Sequence, residues 1–379
     1  MTEDNVTTSN NEIPYVMRAA QQINYGNVRD VLQLDDNVSV PRELTSKQVL
    51  IRVYAASINP ADCKLLYGDV SFAIRYSFPH IPGGDVAGVV VDVGSAVGRV
   101  RIGDHVYGNL GTNGGGYAEY ARAEESMLAI KPTNLTMEEA AAIPLACETS
   151  YEALFQRCSS PVGKGTKLFI CGGGSATGLF AIQLAKAVGA FVALTCSQRN
   201  LFLIEKLGYE IIRNKSEWIN MDNQILVIDY KEKDFGEELQ GNDYDIVCDC
   251  VGGQQNWISA QRILKRGGDF ITFVGDDPNP VLSVTWIVQT AGNLLNRKFW
   301  SVFGSERHKY FMHVHSQTPE NLDDLRLNYF ESGKVKPIID KVYDWRKDGI
   351  EALYSAYERS RNRMAQGKLI LKIADENSK

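Results

Sequence analysis

Between residues 15 and 130 the apolar positions come in short β-branched runs, such as 49–55 and 86–93, broken by Gly, Pro, Asn and Asp. Short runs of that kind between turn-formers read as strands, so this part of the chain is expected to be an irregular, mainly β domain. After Leu135 the texture changes. Thr136-Met-Glu-Glu is a capping-box start, and apolar runs then alternate with helix-length amphipathic segments. A strand at 168–171, a helix at 176–188 and a second strand at 191–196 make a βαβ unit of about 30 residues, which requires parallel strands and a right-handed crossover. Further strands are predicted at 225–228, 245–251, 269–274 and 310–314, giving an α/β, doubly wound middle section. Past about Ser316 the pattern predicts a helix at 321–332, an extended 336–342, a helix at 349–361 and a strand at 368–373. Periodicity alone does not say which domain this tail joins. The polar stretch 211–224 interrupts the α/β pattern and reads as a surface insertion.

The length of 379 residues exceeds one ordinary core and implies about two domains. Lys and Arg number 40 against 46 Asp and Glu, a net charge of −6, which offers no basic surplus for a nucleic-acid backbone. The seven cysteines (Cys63, Cys147, Cys158, Cys171, Cys196, Cys248 and Cys250) are odd in number and never spaced C-x-x-C. They read as reduced, mostly buried thiols of an intracellular protein. The first fourteen residues carry neither a secretory nor a transit pattern. No apolar run approaches the roughly 20 residues of a membrane span, so a soluble, cytoplasmic protein is expected.

Gly172, Gly173, Gly174, Ser175, Ala176, Thr177 and Gly178 join the first strand of the βαβ unit to its helix. Glycines there let the backbone approach a pyrophosphate whose charge the helix N-terminus stabilises. The spacing is a longer variant of G-x-G-x-x-G, with Gly178 placed for close helix-to-strand packing. Three glycines also make an ordinary tight turn, so the cluster alone does not identify a ligand. At the end of the second strand, where an NAD-binding protein places an acidic residue, the chain has Thr195-Cys-Ser-Gln-Arg-Asn200. The Ser197 hydroxyl and the Arg199 guanidinium suit a 2′-phosphate, which favours NADPH over NADH. The alternative is an Arg199 that merely solvates the next helix.

Several segments together resemble the medium-chain dehydrogenase/reductase superfamily, and within it the zinc-free quinone oxidoreductase-like group. They include Ala56-Ser-Ile-Asn-Pro-Ala-Asp-Cys-Lys64, Pro79-His-Ile-Pro-Gly-Gly-Asp-Val-Ala-Gly88, Val100-Arg-Ile-Gly-Asp-His-Val-Tyr-Gly108, Gly115-Gly-Tyr-Ala-Glu-Tyr120 and Gly367-Lys-Leu-Ile-Leu371. The resemblance implies a GroES-like catalytic domain from residues 15–148, a Rossmann nucleotide-binding domain from 149–316, and a tail, 317–379, that returns to the catalytic domain. The active site would lie in the cleft between them. Zinc-type relatives need a Cys and a His-Glu pair plus a four-cysteine lobe. This chain has Gly84-Asp85 at the first place, and the loop 109–116 has no cysteine, so no metal is expected. Cys248 and Cys250, and likewise His313 and His315, read as core residues.

Without a metal to polarise a carbonyl, hydride transfer favours an already electrophilic carbon, in a quinone or at the β-carbon of an α,β-unsaturated carbonyl. The resemblance implies Asn59 as a polar positioning group, Lys64 as a cation near the developing oxyanion or a proton source, and Tyr67 as a nearby hydroxyl whose other reading is a packed aromatic. Asp62 reads as structural, a cap for the helix after Asn59-Pro60. Thr149 falls where relatives bring a hydroxyl toward the nicotinamide, the bland reading being a helix-start hydroxyl. Tyr230 would hold the adenosine phosphate end, Val274 and Gly275 would pass backbone near the nicotinamide amide, and Arg363 and Lys368 would serve as phosphate partners. Ser175, Cys147 and Glu148 depart from the family pattern. The expectation is therefore an NADPH-dependent, zinc-independent reductase of quinones or enones, paired as a homodimer through the edge strand 310–314. Its rival is a dinucleotide-binding scaffold of the same fold with little turnover.

Overall fold

The computed structural model describes residues 13–217, 222–277, 284–316 and 318–376. The first sheet has the order Ile339–Asp344, Lys368–Lys372, Gln48–Ile58, Asp85–Val93, His105–Asn109, Leu128–Ile130. Gln48–Ile58 is its spine. One edge pairs antiparallel with Asp85–Val93, while the other takes Tyr120–Glu124 along its first half and Lys368–Lys372 along its second. That strand is buried on both faces, which is why its sequence reads as a continuous apolar run and not as an alternation. Two consecutive tail strands, Ile339–Asp344 and Lys368–Lys372, pair in parallel and attach to the sheet through Leu369 to Lys372 against Ile58 to Ala55. The tail strands thus complete the first sheet.

The second sheet is wholly parallel, in the order Glu210–Ile212, Gln224–Ile228, Phe191–Thr195, Lys167–Cys171, Tyr244–Asp249, Leu264–Thr272, Lys309–Met312. Chain order reverses at Lys167–Cys171, the position where open α/β sheets bind ligands beyond their carboxyl ends. The predicted doubly wound middle and mainly β flank are both present.

Two expectations need correction. The stretch 211–224 is not simply an insertion, because Ile211 and Ile212 belong to an added edge strand and residue 224 starts the next one; residues 218–221 lie outside the described set. The strand expected at 310–314 ends at Met312, leaving Val314 exposed. A 20-residue helix, Val284–Phe303, precedes it.

The Thr136 cap forms as predicted, with Thr136 N donating to Glu139 Oε2 at 3.0 Å and Glu139 N to Thr136 Oγ1 at 3.2 Å. From it run helices Met137–Ala141 and Pro144–Glu152, which join the two domains in one core. Tyr54, Ala87 and Tyr107 of the first sheet share an apolar cluster with Ile143, Ala146, Leu168 and Ile182. The expected boundary at residue 148 falls inside the second of these helices. All seven cysteines are buried and unpaired. Among the described residues no helix is long and apolar enough to cross a membrane.

Candidate functional site

The glycine turn leaves the sheet at Cys171 and enters helix Ala176–Ala187. Gly172 has φ +82°, and a Cβ there would lie 2.3 Å from Val251 Cγ1. A Cβ on Gly178 would lie 2.3 Å from Gly172 O, so Gly178 does allow the helix to pack on the turn. Gly172 N and Gly173 N donate to Thr195 Oγ1 and Thr195 O, each at 2.9 Å. Ser175 caps the helix: its Oγ accepts from Gly178 N at 3.0 Å and donates to Gly172 O at 2.8 Å. The departure to serine therefore supplies an N-cap. The first-turn amides of Ala176 and Thr177 remain as the donors a helix start offers to an anion.

Beside this turn stand Ser197 and Arg199, at the end of Phe191–Thr195. Arg199 Nη2 donates to Arg363 O at 3.2 Å, and Gln366 Nε2 donates to Arg199 O and Asn200 Oδ1 at 3.2 and 3.0 Å. Residues from the tail and the nucleotide domain thus meet, and Arg199 and Arg363 share one exposed corner. Asp229, which the sequence did not single out, accepts from Gln198 N at 3.3 Å there. Tyr230 follows it and is 58% exposed. Val274 and Gly275 are fixed by Thr272, whose Oγ1 accepts from both amides at 3.2 and 2.9 Å.

Helix Pro60–Tyr67 carries Lys64 and Tyr67, with Asn59 as its N-cap. Asp62 is structural, as expected: its Oδ2 accepts Asn59 N at 2.7 Å, and burial pushes its carboxyl up to about 6. Lys64 is half-buried. Burial lowers its pKa first, with Arg363 and Arg361 adding to the fall, while Asp69 and Asp277 oppose it. Lys64 therefore senses both the tail corner and the loop that follows Val274 and Gly275. Tyr67 is a platform, with the Arg361 guanidinium 4.3 Å from its ring centroid; this is the packed-aromatic reading. Thr149 Oγ1 donates to Leu145 O at 2.6 Å. It lies in the second half of helix Pro144–Glu152, so the helix-start reading does not apply.

Lys368 corrects a further expectation. Its Nζ is buried and committed to Asn59 Oδ1 at 2.5 Å and Asp85 Oδ2 at 3.2 Å, inside the sheet domain, rather than serving a phosphate. The sequence missed the hub this creates. Asp85 also accepts from Ser57 Oγ, Asn59 Nδ2, Asn109 Nδ2 and Leu145 N at 2.9, 2.9, 2.7 and 3.0 Å. Burial alone would raise its pKa, yet Lys368 and these donors outweigh it and lower it. The hub does not fit the zinc of zinc-type relatives. Among the described residues neither cysteine nor histidine bonds to Asp85, and the Lys368 ammonium already supplies the cation.

An alcohol dehydrogenase GroES-like domain matches residues 45–133, and a zinc-binding dehydrogenase domain matches residues 225–371. A 2-methylene-furan-3-one reductase of Solanum lycopersicum is 34% identical over 96% of this chain and 81% of its own length. An NADPH-dependent alkenal/one oxidoreductase, chloroplastic, of Arabidopsis thaliana is 34% identical over 88% of this chain and 74% of its own. The solved quinone oxidoreductase of Coxiella burnetii has a TM-score of 0.73 at 27% identity, covering 94% of this chain and 99% of that one. With relatives at that level along nearly its whole length, the chain belongs to the medium-chain dehydrogenase/reductase superfamily, in its quinone oxidoreductase-like group.

Proposed function

We propose that the protein is an NADPH-dependent reductase of quinones or of the conjugated double bond of α,β-unsaturated carbonyls. The reading is supported by the capped glycine turn, by the Arg199 Nη2–Arg363 O bond beside it, and by the half-buried Lys64, on which the Arg363 charge acts. The relatives named as an alkenal/one oxidoreductase and a 2-methylene-furan-3-one reductase support the same substrate class.

Bound NADPH would supply the hydride. The Ala176 and Thr177 amides would hold its pyrophosphate, and Ser197, Arg199 and Arg363 its 2′-phosphate, with Tyr230 beside the adenosine end. The backbone at Val274 and Gly275, and Thr149, would meet the nicotinamide end. Reduction of an enone or quinone leaves negative charge on oxygen, and a cation preset in a partly dry cleft stabilises it without reorganising. Lys64 is assigned that role, as oxyanion partner and proton source. Asn59 acts as a positioning residue, held by Asp85 and Lys368. Tyr67 and Lys368 are left out of the chemistry.

The test is NADPH oxidation with a panel of quinones and enones, against NADH. Measurable NADPH turnover is expected; no turnover and no NADPH binding would sink the reading. Arg199→Ala should weaken NADPH binding ~10–100-fold, the worth of a charge-assisted bond, with NADH unchanged. Rate should fall as pH rises through the Lys64 pKa, which lies below the usual ~10.4, because only the protonated amine serves; Lys64→Met should flatten that limb of the profile.

A second copy of the chain is proposed to pair along the edge strand Lys309–Met312, beside which Leu295, Phe299, Trp300, Phe303 and Val314 are more than half exposed. Light scattering would show a dimer. The seven unpaired thiols support a reducing compartment such as the cytoplasm, which fractionation tests.

A further inference from the structure

The added edge strand Glu210–Ile212 lies two places from Phe191–Thr195, with Gln224–Ile228 between them, and all three run parallel. Parallel strands end on the same side of a sheet, and in an open α/β sheet the residues just past those ends line the ligand crevice. Three such ends stand in a row here. Past Phe191–Thr195 come Ser197 and Arg199, past Gln224–Ile228 come Asp229 and Tyr230, and past Glu210–Ile212 comes Arg213.

Arg213 reaches over the middle strand end to the first. Neighbouring strands are about 4.8 Å apart, so the span is about 10 Å, and Arg213 Nη2 donates to Gln198 Oε1 at 2.7 Å. Gln198 sits between Ser197 and Arg199 in the chain. The acids around Arg213 are engaged elsewhere. Asp229 Oδ2 accepts Gln198 N at 3.3 Å and its Oδ1 accepts Lys231 N at 3.0 Å. Glu217 Oε1 accepts Asn214 Nδ2 at 2.9 Å, and Glu210 Oε2 accepts Gln224 Nε2 at 3.0 Å. Among the described residues Arg213 therefore has one side-chain partner, a neutral amide, and is otherwise exposed. Arg199 likewise gives its guanidinium to a neutral acceptor, Arg363 O. An arginine aimed by an amide, with no carboxylate to neutralise it, keeps its charge and its remaining N–H donors for the oxygens of a phosphate.

We propose that Arg213 is a specificity-determining residue of the cofactor site: it joins Arg199 on the 2′-phosphate of NADPH, carried there by the edge strand Glu210–Ile212 and aimed by Gln198. The proposal rests on the NADPH reading above and adds to it a residue that neither the glycine turn nor the end of the second strand contains. NADH carries a hydroxyl where NADPH carries the phosphate, so a guanidinium at this place acts on the difference between the two cofactors, which is what specificity measures.

The test is fluorescence titration of the full chain with NADPH and with NADH. Arg213→Ala should weaken NADPH ~10-fold, the low end for a hydrogen bond to a charged group, leave NADH unchanged and reduce the salt dependence of NADPH binding. Gln198→Ala should weaken NADPH ~3-fold, the cost of ordering a long side chain that is no longer held, again with NADH unchanged. A folded Arg213→Ala that keeps the wild-type preference for NADPH, where Arg199→Ala loses it, overturns the proposal. Equal losses for NADPH and NADH overturn it too, since the guanidinium would then serve a part common to both. A wild-type chain that does not prefer NADPH defeats the underlying reading and this proposal with it, a result visible before any variant is made.

Discussion

Two groups of buried acids lie on either side of the domain junction, and they are finished differently. Asp85 sits in the sheet domain with five donors on its two oxygens, one of them the Lys368 ammonium. Glu148 sits on the helix that crosses to the nucleotide domain, with one oxygen bonded and the other facing an imidazole too distant to share a proton well. The same burial has opposite results. Asp85 is held below the usual carboxylate range, whereas burial pushes Glu148 up to about 7. Burial alone thus says little about a carboxyl's state; the count of donors aimed at it decides. A carboxyl ringed by donors stays ionised in the core, and one with fewer donors is pushed toward its neutral form.

That contrast breaks most sharply at Asp85. Asp85→Ala strands a buried ammonium and should cost about 3–5 kcal/mol, read as a large fall in the urea midpoint or as failure to accumulate folded protein. If Asp85→Ala unfolds like wild type, the hub is not what holds the tail strand. The pH dependence sharpens the point. A carboxyl with a lowered folded pKa contributes stability above its unfolded value of ~3.9 and loses it as pH falls through the lower folded value. The gap between wild type and Asp85→Asn should therefore be full at pH 6 and close only well below pH 4. The smallest effect is expected on the other side. Glu148→Gln should cost about 1–2 kcal/mol, because the amide oxygen keeps Thr318 N while a buried donor replaces the carboxylate oxygen that faces His315. A loss matching that of Asp85→Ala would abolish the distinction drawn here.

The sequence exposed what is local and hid what is not. The turn from Gly172 to Gly178 and the strand pair around it were readable because their signal, periodicity with punctuation, spans some 30 residues. Ser175 is a capping residue type at a helix start, so its role is open to reading, although the resemblance marks it only as a departure from the family pattern. Lys368 is a phosphate partner only by family resemblance; its partner in the fold, Asp85, lies 283 positions away, beyond any periodicity. Glu148 and His315 were each noticed, one as a departure and one as a core residue. Only the fold brings them to 3.6 Å.

The strand Lys368–Lys372 closes on Gln48–Ile58, which carries an implication for how the molecule is made. The nucleotide half is continuous in the chain and can assemble as it leaves the ribosome. The other half must wait, with a bare strand edge and a counterion missing, until Lys368–Lys372 has been made. Long-range closure of that sort is slow and exposed to misassociation, so a chain interrupted before Lys368 would leave the earlier-made half unable to finish.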